Sequence, residues 1–164
     1  MALQSKMTVY IAIAGVLAMM GGIVYYASLG SVDLEQAEIK LANVELINSD
    51  NISDKAKFNV TFLVKNPSDT TFTVSVIDYK LYGDGVLLGS GKYSTEDVSM
   101  PGRASFFPNT EIPLKNIFIL EKSETDPKIF QAAIENGISN FSAEGIITTQ
   151  TTWTVSEKEF KSGF

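Results

Sequence analysis

Acidic side chains are the main candidates for catalysis in this chain, because the sequence contains neither histidine nor cysteine. Their absence excludes a Ser-His-Asp triad, a thiol nucleophile, a disulfide bond and a Cys/His zinc site. Carboxylates occur in three close groups, which are Asp50 with Asp54, Glu96 with Asp97, and Glu121 with Glu124. Paired carboxylates can hydrolyse glycosides, but no group has the ligand order of a calcium loop. We therefore expect surface charge, with no enzyme activity and no catalytic, cofactor-binding or metal-binding residue.

A glycine-rich segment, YGDGVLLGSGKY, invites comparison with phosphate-binding loops. The dinucleotide-binding pattern requires glycine where Leu88 stands, and the P-loop pattern requires glycine and Ser or Thr where Val86 and Tyr93 stand. No helical pattern follows that would present its N-terminus to a phosphate. Asp-Gly between apolar runs is instead typical of a β-hairpin. The predicted hairpin turn comprises Gly83, Asp84 and Gly85.

Three sequons could accept N-linked glycans, and they begin at Asn51, Asn59 and Asn140. They would suit a domain on a secreted face. Ser and Thr are so common in this chain that one or two sequons are expected by chance. The sequence therefore leaves their glycosylation open.

The segment Met7–Leu29 contains 23 residues without a charge. As a helix it would span the roughly 30 Å hydrocarbon core of a bilayer, with Tyr10 and the pair Tyr25-Tyr26 near the two interfaces. A cleaved signal peptide is the alternative, but its apolar region is shorter and ends at a small-x-small site. We predict a retained transmembrane helix over 7–29, after a short N-terminal segment over 1–6.

Charges around this segment predict its orientation. Lys6 precedes it and Asp33, Glu35 and Glu38 follow it, so the positive-inside bias places the N-terminus inside and the domain outside the cytoplasmic membrane. Lys40 lies within range on the far side and weakens the bias.

The net charge of the chain and the small residues of the apolar segment limit the kinds of partner that we expect. Lys6 is the one basic residue in the first 30, so the remainder carries 12 Lys and Arg against 19 Asp and Glu. This balance argues against nucleic acid as a partner, and lipid contact is expected through 7–29. Small residues at four-residue spacing would allow close approach of a second helix. They are Ala14, Ala18 and Gly22. The partner could therefore be a membrane protein or a component of the envelope.

The rest of the chain predicts an all-β fold, an immunoglobulin/fibronectin-III-like antiparallel sandwich of about seven strands with one short helix. We expect a linker over 30–37, the sandwich over 38–160 and a tail over 161–164. Alternating apolar residues predict strands over 39–47, 57–65, 72–81, 86–93, 104–114, 141–149 and 151–155. A bulge is expected near Val76-Ile77, and Pro108 and Pro113 indicate an edge or a break. The helix lies within TDPKIFQAAIENG, with Thr125 or Asp126 as its cap and Gly137 at its end.

The tripeptide Asn66-Pro67-Ser68 interrupts this pattern after the strand that ends at Lys65. Proline has no backbone donor and restricts the residue before it, so the strand cannot continue. Asn66 and Asp69 can bond nearby amides in a tight turn. We interpret the tripeptide as a structural turn without a ligand.

Residues 58–91, FNVTFLVKNPSDTTFTVSVIDYKLYGDGVLLGSG, resemble the type 2 late embryogenesis abundant domain, also called the LEA14-like or water-stress and hypersensitive-response (WHy) domain. The likeness consists of Asn66-Pro67-Ser68, the element Tyr79-Lys80-Leu81-Tyr82, and the hairpin from Gly83 to Gly91. SMPGRASFFPNTEIPL and NFSAEGIITT have counterparts in the family, so the likeness extends over about 36–160. It implies an immunoglobulin-like sandwich with a helix and no catalytic residues. It also implies a link to desiccation or stress tolerance, and an N-terminal anchor with the domain outside.

Three functions are compatible with these observations. The leading hypothesis is a non-enzymatic, membrane-anchored sandwich that serves envelope structure, stress protection or binding. The alternative is an accessory single-span subunit of a membrane protein complex. A carboxylate-based glycan hydrolase is the weakest of the three.

Overall fold

A computed structural model of the chain describes residues 2–50, 54–95, 104–123, 125–135, 137–152 and 154–164, without the side chains of residues 2–5, 29–34 and 50. Helix α1 spans Ala2–Glu35 and the short helix α2 spans Pro127–Ile134. The rest of the described chain forms eight strands and the turns that connect them. They are β1 (Glu38–Asp50), β2 (Lys55–Lys65), β3 (Phe72–Gly83), β4 (Val86–Ser94), β5 (Ser105–Phe106), β6 (Glu111–Glu121), β7 (Phe141–Gln150) and β8 (Val155–Gly163).

The strands form two antiparallel sheets, which confirms the predicted all-β sandwich. One sheet has the order β1-β2-β6, and the other has the order β4-β3-β7-β8 with β5 paired to the start of β3. Strand β2 lies in the middle of the first sheet. Its alternate residues Phe58, Val60, Phe62 and Val64 are all buried, so this face of the strand meets the core.

Aromatic rings fill the space between the two sheets. The ring of Phe62 on β2 lies 4.8 Å from the ring of Tyr79 on β3 and 5.8 Å from that of Phe160 on β8, both edge to face. Burying one such side chain contributes about 1.5–3 kcal/mol to the free energy of unfolding. The core therefore depends on residues from both sheets.

The hairpin turn, the helix cap and the strand bulge lie where the sequence predicts them. Asp84 and Gly85 adopt positive φ angles of 47° and 82° in the β3–β4 turn, as a tight hairpin requires. Asp126 caps α2 by accepting a hydrogen bond from the Lys128 N–H at 2.8 Å, and Pro127 takes the first helical position. The register of β3 against β7 shifts between Val74 and Val76, at the start of the predicted bulge region.

Two strand predictions are wrong in their bounds. The segment 104–114 contributes to two strands, and the break that Pro108 indicated is confirmed: the chain turns at Pro108 and Asn109, where Asn109 has a φ of 58°. Pro113 then lies in β6 at the edge of its sheet, where a missing N–H is tolerated. Residues 96–103, which join β4 to β5, lie outside the described residues.

The predicted strand over 151–155 is instead the β7–β8 turn, in which the Thr151 N–H donates to the Thr154 carbonyl at 2.8 Å. The last strand runs to Gly163, so most of the predicted tail over 161–164 is paired with β7. Charged residues alternate along β8 with only one large inward ring, Phe160, and this weak apolar pattern concealed the strand.

Helix α1 continues to Glu35, so residues 30–35, predicted as a linker, are helical. The sequence contains no proline before Pro67 that would end the helix earlier. Ala37 is already buried in the sandwich core, so the helix and the first sheet are separated by little more than a turn.

Candidate functional site

Asn66 is the most strongly bonded of the predicted site residues. Its side chain is completely buried. The amide nitrogen donates to the carbonyls of Thr70 at 2.9 Å and Phe106 at 2.8 Å, and the amide oxygen accepts from the N–H and the hydroxyl of Ser68 at 3.0 and 2.7 Å. Both donors and both lone-pair positions of the amide are occupied, so Asn66 has no capacity left for a ligand.

The backbone of Asn66 adds a second connection across the fold. Its N–H donates to the Thr110 carbonyl at 2.9 Å, and its carbonyl accepts from the Asn109 N–H at 2.8 Å. Pro67 and Ser68 follow as the start of the turn, with the Ser68 hydroxyl also within reach of Thr70. The structure thus uses Asn66-Pro67-Ser68 to join the end of β2 to the β5–β6 turn.

The hairpin residues lie at the opposite end of the sandwich. Asp84 accepts hydrogen bonds from the N–H groups of Ser139 at 3.3 Å and Asn140 at 3.0 Å, and its own N–H donates to the Asn140 carbonyl at 2.8 Å. Gly83 is buried, and a Cβ atom there would lie 2.6 Å from Ile138 Cδ1. Because the Asp84 carboxylate and N–H are both engaged, the turn has no free cradle for a phosphate.

The sequon asparagines differ in their surroundings. Asn140 is exposed, and its side-chain nitrogen lies 3.5 Å from the Asp84 carboxylate. Asn59 is half-buried on β2, opposite Ile117 of β6. Asn51 lies outside the described residues. Glycosylation at these positions stays a prediction.

Tyr79 and Asn116 form a contact that the sequence did not indicate. The Asn116 side-chain nitrogen donates to the Tyr79 hydroxyl at 2.9 Å and to the Lys92 carbonyl at 3.1 Å. Burial raises the pKa of Tyr79 to about 12, against a smaller lowering effect of the Asn116 bond. The ring lies over Gly91, where a Cβ atom would be 2.3 Å from its Cζ. The Tyr-x-Leu-Tyr element draws attention to Tyr79 in the sequence, but no pattern there points to Asn116 as its partner.

The outer surface of the larger sheet carries a groove with a volume of about 700 Å³. Glu144 on β7 is its central charge: it accepts a hydrogen bond from the Tyr82 hydroxyl at 2.5 Å and pairs with Lys161 at 3.3 Å. The Tyr82 bond and Lys161 lower the pKa of Glu144, and the same bond to Glu144 raises the pKa of Tyr82. Both pKa values thus move away from neutral pH, whereas a general acid or base works best with a pKa near the working pH.

The acidic groups named above are used in surface ion pairs where the structure describes them. Asp54 pairs with Lys122 at 2.9 Å, and Glu121 pairs with Lys55 at 2.5 Å. The side chain of Asp50, and Glu96, Asp97 and Glu124, lie outside the described residues. Within the described ranges, no group of three or more acidic side chains could hold a metal ion.

Helix α1 presents its apolar side chains to the outside. The segment Lys6–Ser28 is long and apolar enough to cross a membrane, with a mean hydropathy of 2.1. No residue in its most apolar stretch is buried. Ala14, Ala18 and Gly22 are exposed along one face, and a Cβ atom at Gly22 would have no neighbour within 4 Å.

Comparisons with known proteins give matches among solved structures alone, since no family model and no curated protein matches the chain. The solution structure of a protein from Arabidopsis thaliana is 14% identical, with a TM-score of 0.51 over 77% of this chain and 80% of that chain. The crystal structure of a protein from Archaeoglobus fulgidus is 18% identical, with a TM-score of 0.44 over 76% and 96%. The solution structure of a candidate late embryogenesis abundant (LEA) protein is 11% identical, with a TM-score of 0.40 over 92% and 87%. The similarity to the Arabidopsis protein shows that the two chains share a fold.

Proposed function

We propose that this chain is a non-enzymatic β-sandwich protein anchored in the cytoplasmic membrane, with its domain on the outer face, where it supports or protects the envelope under stress. The observation that carries the proposal is the apolar segment Lys6–Ser28, which has 23 residues and a mean hydropathy of 2.1. Its side chains are exposed almost throughout, and no packing in the described chain explains their apolar character. A lipid environment would explain it.

The non-enzymatic part of the proposal is supported by the state of the polar side chains. Asn66 has all its hydrogen-bonding capacity satisfied within the fold. Glu144 is paired and ionised, and the described acidic groups form exposed ion pairs. These contacts serve the structure of the sandwich, and the chain lacks the histidine and cysteine on which many hydrolases depend.

The role in stress protection is supported by the resemblance of residues 58–91 to the type 2 late embryogenesis abundant domain. A sandwich with polar and charged outer surfaces could protect an envelope by contacting proteins, glycans or lipid without chemical change. The orientation is supported by the charges on either side of the span, with Lys6 before it and Asp33, Glu35 and Glu38 after it.

Membrane fractionation and protease treatment test the anchoring and the orientation. We expect the full chain to remain in the membrane pellet after carbonate extraction, and its domain to be digested from the outer side of intact cells. The variant Leu17→Arg places a charge at the centre of the span, at a cost of about 2.5–3.5 kcal/mol for insertion, and should lose retention. Leu17→Ala is the matched control and should behave as the parent. Release of the parent chain by carbonate would refute the anchor.

Survival after drying tests the protective role. Cells that produce the full chain should survive dehydration and rehydration better than cells without it. The variant Leu17→Arg, which leaves the sandwich unchanged, should give no protection if the domain acts at the membrane. Equal survival of cells with and without the parent chain would refute the role in stress.

An accessory subunit of a membrane complex is the second candidate function. The exposed small-residue face of Ala14, Ala18 and Gly22 favours it, because another helix could approach closely there. Native sizing after mild detergent extraction separates the two candidates. A complex that dissociates in Gly22→Leu and persists in Val24→Leu would support the subunit role, and a monomeric parent chain would exclude it.

A further inference from the structure

The antiparallel topology brings three connections between strands to the end of the sandwich at which α1 enters. Glu38, the first residue of β1, pairs with Lys65, the last residue of β2. The 66–71 loop, the 107–110 turn and the 151–154 turn join the strands that meet at this same end. We call it the helix-proximal end. The hairpin at Asp84 and the helix α2 lie at the distal end.

A contact between α1 and the β7–β8 turn shows which part of the helix lies beside the helix-proximal end. The Thr154 hydroxyl donates to the Ala27 carbonyl at 3.4 Å, and Ala27 lies within the segment Lys6–Ser28 that could cross a membrane. The Lys158 ammonium, four residues further along the chain on β8, donates to the Ala37 carbonyl at 2.8 Å. The β7–β8 turn is therefore level with the last turn of the apolar segment.

The register places the β5–β6 turn at a similar level. Phe72 of β3 pairs with Phe106 of β5, and its neighbour Thr73 pairs with Gln150 of β7. Phe107 follows Phe106, and the β7–β8 turn follows Gln150, so both turns extend beyond the same end of β3.

The two turns combine exposed apolar side chains with an absence of charge. The segments 104–110 and 151–156 contain no charged residue. Phe107 and Val155 nevertheless expose 59% and 62% of their surfaces. At the distal end Val86, Leu87 and Phe164 are also exposed. The connections there carry charge, however, at Asp54, Asp84, Lys122 and Asp126. Exposed aromatic and aliphatic side chains on uncharged turns are suited to the interfacial region of a bilayer.

We infer that the helix-proximal end rests on the bilayer surface, with Phe107 and the β7–β8 turn inserted among the phospholipid headgroups. This inference rests on the proposed membrane anchor. At the same end the exposed acidic residues Glu38, Asp69 and Glu111 outnumber Lys65, which lies between Glu38 and Glu111 in the sheet. This balance disfavours anionic headgroups, so the partner is a zwitterionic phospholipid. The contact holds the sandwich at a fixed distance from the membrane and directs the hairpin end outward.

Fluorescence quenching in nanodiscs of phosphatidylcholine tests this arrangement. Trp153, which lies outside the described residues, is the only tryptophan of the chain, so W153F gives a background without tryptophan. The reporter F107W/W153F should lose fluorescence when a fraction of the lipid carries a nitroxide on its headgroup. The matched reporter L87W/W153F uses another exposed apolar position, Leu87, which pairs with Tyr82 about 30 Å along β3 from Thr73. It should keep its fluorescence.

The outcomes distinguish failure of the membrane anchor from failure of the seated orientation. Quenching of F107W/W153F alone supports the seated orientation. Equal quenching of both reporters, or quenching of neither in chains that remain in the nanodisc, overturns it and leaves the anchor intact. Failure of the parent chain to enter nanodiscs overturns the anchor, and the seated orientation with it. Thermal unfolding verifies that each reporter is folded, and V155W/W153F replaces F107W/W153F if that variant does not fold.

Discussion

The hydroxyl of Tyr79 on β3 accepts a hydrogen bond from the side-chain amide of Asn116 on β6, at 2.9 Å, and this bond joins the two sheets of the sandwich. Asn116 also donates to the Lys92 carbonyl on β4. Since β4 and β6 are both edge strands, the side chain satisfies a backbone group where the sheets leave one unpaired. The opposite edges are joined in a similar way, because the Leu41 N–H donates to the Ser162 hydroxyl at 3.0 Å.

Removing the Tyr79 hydroxyl should weaken the fold and change its response to alkali. We expect Tyr79→Phe to lower the free energy of unfolding at pH 7 by about 1 kcal/mol, the net contribution of one hydrogen bond. The pKa of Tyr79 is raised from 10.0 to about 12 in the folded state. Its protonated form thus stabilises the fold below pH 10, and this contribution is lost as pH rises through the folded pKa.

Urea unfolding of the parent chain and Tyr79→Phe between pH 8 and 12 measures both effects. The parent should lose stability more steeply above pH 10 than the variant does. Parallel curves over this range would show that Tyr79 titrates normally. Tyr10→Phe, in the apolar segment, serves as a tyrosine control.

Asn66→Ala should destabilise the sandwich by about 2–3 kcal/mol, because it leaves the buried Phe106 carbonyl without its side-chain donor and removes one of the donors to the Thr70 carbonyl. Asp69→Ala, in the same loop but exposed, should change the free energy of unfolding by less than about 0.5 kcal/mol. Denaturant midpoints of the two variants provide the comparison. If Asn66→Ala left stability unchanged and abolished binding of a partner, the turn would be a binding site and the structural interpretation would have to be abandoned.

Gly91→Ala should be destabilising by about 1–3 kcal/mol, as overpacked core positions are. The added Cβ would lie 2.3 Å from Tyr79 Cζ, so the aromatic ring must move. Ser90→Ala, at the adjacent exposed position, is the control and should be close to neutral. In a double-mutant cycle, Tyr79→Leu should reduce the cost of Gly91→Ala. Additive costs would indicate that the glycine is required for another reason.

Glu144→Gln should lower the pKa of Tyr82, because the hydrogen bond to Glu144 is the largest cause of its raised value. Absorbance of tyrosinate during an alkaline titration reports this change, with Tyr82→Phe identifying the contribution of that residue. Lys161→Met removes the other partner of Glu144 and should affect the Tyr82 titration less. An unchanged titration in Glu144→Gln would mean that the short contact does not persist in solution.

Much of the local structure follows from short segments of sequence. The alternation of β2, the Asp84-Gly85 turn and the Asp126-Pro127 start of α2 were predicted correctly, because each depends on residues that are close together in the chain. The apolar segment of α1 was likewise recognisable from its composition. The turn at Asn66 was predicted from proline geometry, but its partner Phe106 lies 40 residues away.

The sequence by itself determined the fold class and the absence of histidine and cysteine chemistry. Only the tertiary structure decided that β8 completes the larger sheet, that Tyr79 meets Asn116, and that the uncharged turns at Phe107 and Thr154 share the end where α1 enters. The physical reason is the same in each case. Propensity and periodicity act over a few residues, whereas these contacts depend on how strands distant in sequence pair and pack, and so on the burial of the whole core.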